Sequence, residues 1–330
     1  KPEFINQKGQ GPSTQFILPM TKAPLHFEGM IKVGPGVEKE ENIAYELNEE
    51  GSFYATATCY SADGQVLLRN RGFWFEISPN RSRLEELIRI TSAGIAGSQY
   101  EDSNSAKELS VQGQNLIKSL QDLLSGAGDD WKDGSWEELT AKITGYETDV
   151  YQYLNRLHYT SLNNWEIIED YGVTATHSLN KISREKNYTY PISNKINISA
   201  ARNESESFQL VVLPFGKDIT GLTVSASEFV GENGEIIPES SIEISFVEYN
   251  WIDRQPSYLI EYLGWYPDPL MPINAPINIK GGEISRPFWI TISVPEDAAP
   301  GIYTGTVRCD TDDGSGPAVT IALNVWDFVL

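Results

Sequence analysis

Aromatic and acidic side chains are concentrated between Trp251 and Pro272, and this segment has the clearest potential for ligand chemistry. The set consists of Trp251, Asp253, Tyr258, Tyr262, Trp265, Tyr266 and Asp268. Sugar rings stack their C–H faces on aromatic rings, and carboxylates accept hydrogen bonds from sugar hydroxyls. The set therefore predicts either a carbohydrate-binding surface or a long, proline-rich connection whose aromatic residues anchor it to the rest of the fold. We favour the anchoring interpretation, because aromatic residues usually stabilise long loops before they bind a ligand.

A second acidic segment, Asp310-Thr-Asp-Asp-Gly-Ser-Gly316, resembles the start of a calcium-binding loop. Its candidate ligands are Asp310, Asp312 and Asp313. The segment lacks the downstream bidentate glutamate of such loops, and it joins two predicted strands. We therefore interpret it as the tip of a tight hairpin, with calcium as the weaker alternative and no other metal site.

Catalytic patterns are missing from the sequence. None of His26, His158 and His177 has a neighbouring Ser or Cys together with a carboxylate, as a catalytic triad would need. There is no G-x-S-x-G elbow, phosphate-binding glycine loop or H-E-x-x-H motif. Adjacent acidic residues fall mostly in turns or first helical turns, where solvation or the helix dipole explains them. We assign no catalytic residue and expect no cofactor.

Composition restricts the class of protein further. The 330 residues are 40% hydrophobic and 22% charged, which is enough to bury a core. The net charge of −21 opposes binding to nucleic acid or to an anionic membrane surface. No apolar run approaches the roughly 18 residues that a membrane-spanning helix needs. Three His and two Cys are too few for a zinc finger or a disulfide scaffold.

The first half of the chain divides into three segments by its pattern. Residues 1–22 have little periodicity and are interpreted as a tail or linker. Residues 23–80 form a small β region, in which Asp63-Gly64 predicts a hairpin turn. Residues 81–160 change to helical spacing and predict a helical hairpin or three-helix unit. Capping boxes that begin at Ser82, Ser105 and Ser135 mark the expected helix starts.

Residues 161–330 alternate apolar and polar side chains almost throughout, and turn signals separate the runs. About eight short strands without intervening helices predict an antiparallel β-sandwich and exclude a (β/α)₈ barrel. The expected fold is thus mainly β with a helical insert, and its sandwich is immunoglobulin-like or jelly-roll-like. The inward-facing residues begin with Val173, Ala175, His177 and Leu179 and end with Val319, Ile321, Leu323 and Val325.

Five motifs occur in order in this half of the chain. They are Ala200-Ala-Arg-Asn-Glu-Ser-Glu-Ser-Phe-Gln-Leu-Val212, Trp265-Tyr-Pro-Asp-Pro-Leu-Met-Pro272, Phe288-Trp-Ile-Thr-Ile-Ser-Val-Pro295, Pro300-Gly-Ile-Tyr-Thr-Gly-Thr-Val307 and Leu323-Asn-Val-Trp-Asp-Phe-Val-Leu330. The series resembles the N-terminal β-sandwich that precedes the catalytic barrel in glycoside hydrolase family 123 and its uncharacterised bacterial relatives. The resemblance covers about residues 171–330.

The resemblance implies a parent enzyme acting as an exo-β-N-acetylgalactosaminidase, in which an adjacent Asp-Glu pair in the barrel assists the substrate's acetamido group. This sequence contains no Asp-Glu dipeptide, so no catalytic residue is carried over. What the resemblance implies here is a non-catalytic part of a secreted or cell-surface protein, whose partner is a catalytic barrel following Leu330. The alternatives are a carbohydrate-binding module that uses Trp251 and Trp265, and a structural spacer.

Overall fold

The computed structural model describes residues 51–330 except for 56–57, 61–65, 70–72, 78–79, 98–102, 127–135, 164–169, 254–263, 313 and 315. Contacts divide the chain into two compact units. The described strands up to Ile77 belong to the smaller unit, and residues 78–253 and 262–330 form the larger one.

The smaller unit contains four short strands: β1 (Gly51–Ala55), β2 (Thr58–Tyr60), β3 (Val66–Arg69) and β4 (Phe73–Ile77). β1 pairs antiparallel with β4, and β2 pairs antiparallel with β3. The turn predicted at Asp63-Gly64 lies outside the described residues, but the strands on either side of it do pair as a hairpin requires. The predicted tail 1–22 and the predicted strand near residue 25 also lie outside the described part.

Three helices follow: α1 (Asn80–Gly97), α2 (Asn104–Gly126) and α3 (Trp136–Leu162). Their shared core is made of apolar side chains at helical spacing: Leu84, Leu87, Ala106, Leu109, Leu120, Ile143, Val150, Tyr153, Leu154 and Leu157. The sequence left a hairpin or a three-helix unit open, and the structure has three helices.

The predicted helix starts need correction. α1 begins at Asn80, two residues before Ser82. At the start of α2 the hydroxyl of Ser103, rather than that of Ser105, accepts a hydrogen bond from the Ala106 amide at 3.0 Å. Ser103, Asn104 and Ser105 are all good capping residues, so the sequence could not choose among them. Ser135 lies outside the described residues.

Twelve strands form the rest of the larger unit. They are β5 (Tyr171–His177), β6 (Lys195–Arg202), β7 (Ser205–Pro214), β8 (Ile219–Ala226), β9 (Phe229–Gly231), β10 (Ile236–Ile237), β11 (Ile242–Ile252), β12 (Gly264–Pro272), β13 (Ile277–Ile279), β14 (Arg286–Ser293), β15 (Gly301–Asp310) and β16 (Ala318–Val329). A short 3₁₀ turn, Glu239–Ser241, precedes β11.

These strands form two sheets. The first sheet has the antiparallel order β12-β11-β14-β7-β5. The second has the order β10-β9-β15-β16-β6, with β8 added beside β15 and β13 beside β8. The predicted sandwich is confirmed, with one exception to its antiparallel character: β6 and β16 run parallel. They are far apart in sequence, so no hairpin turn between them dictates their relative direction.

The sandwich core lies between the sheets and is lined by the alternating residues that the sequence indicated. It contains Val173, Phe208, Leu210, Val212, Phe288, Ile290, Ile292, Val307, Val319, Ile321, Leu323 and Val325, among others. Two predicted members lie outside it. His177 ends β5 with its side chain exposed, and Leu179 lies beyond the strand with 92% of its surface exposed.

The outer face of the first sheet is also covered at β5 and β7. Val211 and Leu213 pack there against Ile182 and Tyr188 from the segment 178–194, defined here as the covering segment. Gly172 faces the ring of Tyr159 from α3 so closely that a Cβ at this position would overlap it. Simple alternation therefore fails on these strands, because both of their faces are buried.

Candidate functional site

Trp251 and Trp265 lie directly opposite each other on β11 and β12. Their ring centroids are 5.3 Å apart at an interplanar angle of 64°, an edge-to-face arrangement. We call this pair the Trp251–Trp265 cluster. Trp251 leaves 58% of its surface exposed, whereas Tyr266 is only 6% exposed. Part of the Trp251 side chain is therefore accessible to a ligand.

Cationic side chains of the covering segment lie over these aromatic residues. The Arg184 guanidinium carbon is 4.9 Å from the centroid of the Trp265 ring, and Lys181 Nζ is 5.6 Å from that of Tyr266. The Tyr249 hydroxyl donates a hydrogen bond to the Ile182 carbonyl at 3.0 Å. Cations within about 6 Å of an aromatic centroid are attracted to it. The cluster thus contacts a neighbouring part of the fold, as an anchor would, while Trp251 stays exposed.

The acidic members of the predicted set lie at the edges of this cluster. Asp268 accepts a hydrogen bond from the Asn250 side-chain amide at 3.2 Å across the two strands. Asp253 is exposed just beyond the end of β11. Tyr258 and Tyr262 lie outside the described residues. The structure therefore brings together Trp251 and Trp265, and it places two carboxylates on the same pair of strands.

The predicted calcium ligands adopt a hairpin tip. The Asp310 carboxylate accepts hydrogen bonds from Arg308 at 3.2 Å and from the Gly316 amide at 2.9 Å. Thr311 and Gly314 form a bridge that closes the turn. Asp313 lies outside the described part. Across the described residues, no three His, Cys, Asp or Glu side chains come together as a metal site would need.

Nucleophile and base candidates are not assembled among the described residues. Cys309 is buried, and burial raises the pKa of its thiol well above the usual range. Partial desolvation lowers the pKa of His158, although the residue is exposed. Cys309 lies in the sandwich core and His158 on α3. A buried, protonated thiol is a poor nucleophile, so this chemistry gives no support to catalysis.

None of the described helices is long and apolar enough to cross a membrane.

A second aromatic cluster, which the sequence did not single out as a site, lies at the end of β16. The rings of Trp326 and Phe328 are stacked with centroids 5.7 Å apart and an interplanar angle of 19°. They are 45% and 46% exposed, and Val329 and Leu330 beside them are 43% and 64% exposed. We call these four residues the Trp326–Phe328 cluster. The available signal was that apolar residues cease to alternate after Val325.

The geometry of β16 explains this exposure. Its pairing with β15 ends at Val325, and only β6 continues beside it. Arg202 and Asp327 form an ion pair at 3.3 Å, and the Leu330 amide donates to the Arg202 carbonyl at 3.0 Å. The Asn203 side-chain amide donates to the Leu330 carbonyl at 2.8 Å. The strand end is thus held in register, while none of the described strands pairs with its other side.

Comparison with known proteins identifies part of the larger unit. Residues 179–311 match the family described as Glycoside hydrolase 123 N-terminal domain. No curated protein matches. A family 123 glycoside hydrolase from Clostridium perfringens matches 48% of this chain with 22% identity and a TM-score of 0.42.

Two further solved structures are similar over about half of the chain. The PapD-like domain 7 of human CEP192 matches 47% of this chain and 86% of its own length at 10% identity, with a TM-score of 0.26. Spo0M from Bacillus subtilis matches 49% of this chain and 51% of its own length at 13% identity, with a TM-score of 0.22. This chain spans 28% of the length of the Clostridium enzyme. Residues 179–311 are thus similar to the N-terminal domain of glycoside hydrolase family 123.

Proposed function

We propose that this chain is a non-catalytic N-terminal part of a glycoside-hydrolase-like protein. In this proposal the sandwich supports a catalytic barrel that follows Leu330 and acts on glycans containing N-acetylhexosamine. The parent protein would work outside the cytoplasm, either secreted or at the cell surface. The similarity of residues 179–311 to the family 123 N-terminal domain supports the glycoside-hydrolase relationship.

The observation that carries the proposal is the Trp326–Phe328 cluster. Exposed apolar side chains gathered at one place mark protein interaction surfaces, and aromatic residues often dominate the binding energy of such surfaces. Here two stacked rings and two aliphatic side chains lie at one strand end. These four residues lie at the end of β16, next to the place where a following domain would begin. A domain folded there would bury them.

The hydrogen bonds around β16 make this surface suitable for docking. Arg202, Asn203 and Asp327 fix the strand end through side-chain and backbone contacts. An interface whose residues are ordered in advance loses less conformational entropy on binding. The cluster would thus be presented to the next domain in one geometry.

The first experiment is to determine the coding sequence beyond Leu330. We expect alternating strands and helices with an adjacent Asp-Glu pair at a strand end. A stop codon directly after Leu330 would contradict the proposal. Cell fractionation of the source should then recover the parent protein outside the cytoplasm.

Docking is tested by mixing this chain with the separately produced domain that follows Leu330. The double substitution Trp326→Ala and Phe328→Ala should weaken association by about thirtyfold or more, because one hot-spot aromatic residue contributes about 2 kcal/mol. Met271→Ala is a matched control, since Met271 is also 45% exposed but lies on β12. Equal effects of both variants in titration calorimetry would exclude the cluster as the docking surface.

Absence of catalysis is tested on the isolated chain with a p-nitrophenyl N-acetyl-β-galactosaminide. We expect no release of p-nitrophenol above the rate of the buffer. Turnover at an enzyme-like rate that co-purifies with the chain would refute a non-catalytic role.

A carbohydrate-binding module is the second candidate, and the 58% exposure of Trp251 is the observation that favours it. Binding should be found on a glycan array and should be lost in Trp251→Ala but retained in Trp326→Ala. Persistence of binding in Trp251→Ala would remove this cluster from consideration.

A further inference from the structure

A cavity of about 670 Å³ lies between α2, α3 and the turn that follows β7. Its lining includes Asn115 from α2, Asp149, Gln152 and Arg156 from α3, and Phe215 from the turn. Binding sites for small molecules typically have volumes of about 300–1,000 Å³. The cavity is thus large enough for a ligand of one or two sugar rings.

Helix geometry alone places the polar residues of α3 side by side. Asp149, Gln152 and Arg156 are separated by three and four positions, so they share one face of α3. Faces that are turned toward a neighbouring helix in a bundle are usually apolar. α1 packs along both other helices, whereas α2 and α3 contact each other over a much shorter length. The space between them is lined by hydrogen-bonding groups together with apolar side chains such as Leu116 and Tyr153.

Gln152 is the best-defined of these groups. Its amide nitrogen donates to the carbonyls of Gly281 and Glu283, the latter at 2.8 Å. Both partners are acceptors, so the orientation of the amide is fixed and the other atom must be the oxygen Oε1. Gln152 is only 6% exposed, and Oε1 accepts no hydrogen bond from the described residues. It lies 3.7 Å from the point where a Cβ at Gly216 would be, at the wall of the cavity.

Arg156 supplies the complementary donor. Its Nε is buried and has no hydrogen-bond partner in the part of the chain that the structure describes. Arg156 lines the cavity, and a guanidinium has several N–H donors that can bond a ligand oxygen. A fixed acceptor and a cationic donor group thus line one cavity, one helical turn apart on α3.

The charged side chains around the cavity restrict the net charge that a ligand can carry. Glu108 and Asp149 are carboxylates and Arg156 is a cation. Partial desolvation raises the pKa of the Asp149 carboxyl, although the residue as a whole is exposed. The two carboxylates oppose an anionic ligand and Arg156 opposes a cation. An uncharged ligand that both donates and accepts hydrogen bonds fits best.

Phe215 adds an apolar wall to this polar lining. Its ring packs at 6.0 Å and 51° against Tyr159, which holds it in place at the turn. From these features we infer that the cavity binds an uncharged sugar ring, with its hydroxyls on Gln152, Arg156 and Asp149 and its C–H face against Phe215. This site lies on different elements from the Trp251–Trp265 cluster, and the inference stands independently of the proposed function.

The test is titration of the full chain with methyl β-glycosides of galactose, glucose and N-acetylgalactosamine, followed by NMR. We expect saturable binding of at least one of them at about 10 mM or below. Arg156→Met keeps the apolar stem of the side chain and removes the donor. Arg156→Met should weaken binding about tenfold, since a hydrogen bond to a charged group contributes about 1.5 kcal/mol.

Lys118→Met is the matched control, because Lys118 lies on α2 outside the cavity lining and undergoes the same loss of a cation. It should leave binding unchanged. Absence of saturable binding for all three glycosides overturns the inference. Binding that survives Arg156→Met but is lost in Trp251→Ala also overturns it and assigns the sugar to the other surface. If Arg156→Met fails to fold by circular dichroism, Asn115→Ala on the exposed rim replaces it, with an expected threefold or greater loss of affinity.

Discussion

The two aromatic clusters of the sandwich are similar in composition and different in their surroundings. In the Trp251–Trp265 cluster, Trp265 packs beneath Arg184 and edge-to-face with Trp251. In the Trp326–Phe328 cluster the rings stack on each other at a strand end that pairs with one described strand, β6. Both clusters expose indole surface, and the first is in contact with the covering segment.

This difference shows that exposed aromatic surface alone does not identify a binding site. The first cluster stabilises the outer face of the first sheet through the covering segment, so its residues have a structural reason to be there. The second cluster lies beyond the end of the β15 pairing, and its four residues are between 43% and 64% exposed. Stability measurements can separate the two roles. Truncating an anchoring side chain lowers the free energy of unfolding of the chain, whereas truncating a docking residue leaves it nearly unchanged.

The largest effect is expected for Trp265→Ala. The free energy of unfolding should fall by about 2 kcal/mol, because this half-buried ring loses its contacts with Trp251 and Arg184 and leaves a cavity. Urea unfolding followed by circular dichroism measures the change. A loss below about 0.5 kcal/mol would show that the cluster is not an anchor.

Tyr249→Phe should have an intermediate effect. The substitution removes the hydroxyl that donates to the Ile182 carbonyl and should destabilise the fold by about 1 kcal/mol. Tyr190→Phe is its matched control, since the Tyr190 hydroxyl also donates to a carbonyl of the covering segment but does so at 3.3 Å in an exposed position. Equal midpoints for the two variants would argue against a specific anchoring role for Tyr249.

Trp326→Ala is expected to change stability least, by no more than about 0.5 kcal/mol. Its ring is 45% exposed and lies beyond the end of the β15 pairing. The same unfolding assay measures this value alongside Trp265→Ala. A loss as large as that of Trp265→Ala would erase the distinction between the clusters and weaken the docking proposal.

The sequence could predict the elements because local patterns decide them. Alternation placed Phe208, Phe288 and Ile321 in the core, and helical spacing placed Leu109 and Val150 on the inner faces of their helices. Side-chain period follows directly from backbone geometry, so these assignments need no knowledge of distant contacts. The ordered motifs between Ala200 and Leu330 likewise indicated the family 123 N-terminal domain.

The candidate sites were predicted less completely. The sequence proposed Trp251 and Trp265 together because they are close in the chain, and β11 and β12 do pair them. It gave no signal for Arg184 above Trp265, and for the exposed end of β16 the only signal was the loss of alternation after Val325. Those features depend on where the covering segment lies and on where β15 stops, which are long-range properties of the sheets.

The sequence by itself thus determined the helices, most strands and the apolar core. It also showed that no recognisable catalytic motif is present. Tertiary structure alone decided the parallel pairing of β6 with β16, the burial of both faces of β5 and β7, and the meeting of Gln152 with Phe215 at one cavity. The physical reason is that period and capping act within a few residues, whereas pairing partners and covered faces are set by contacts between segments far apart in the chain.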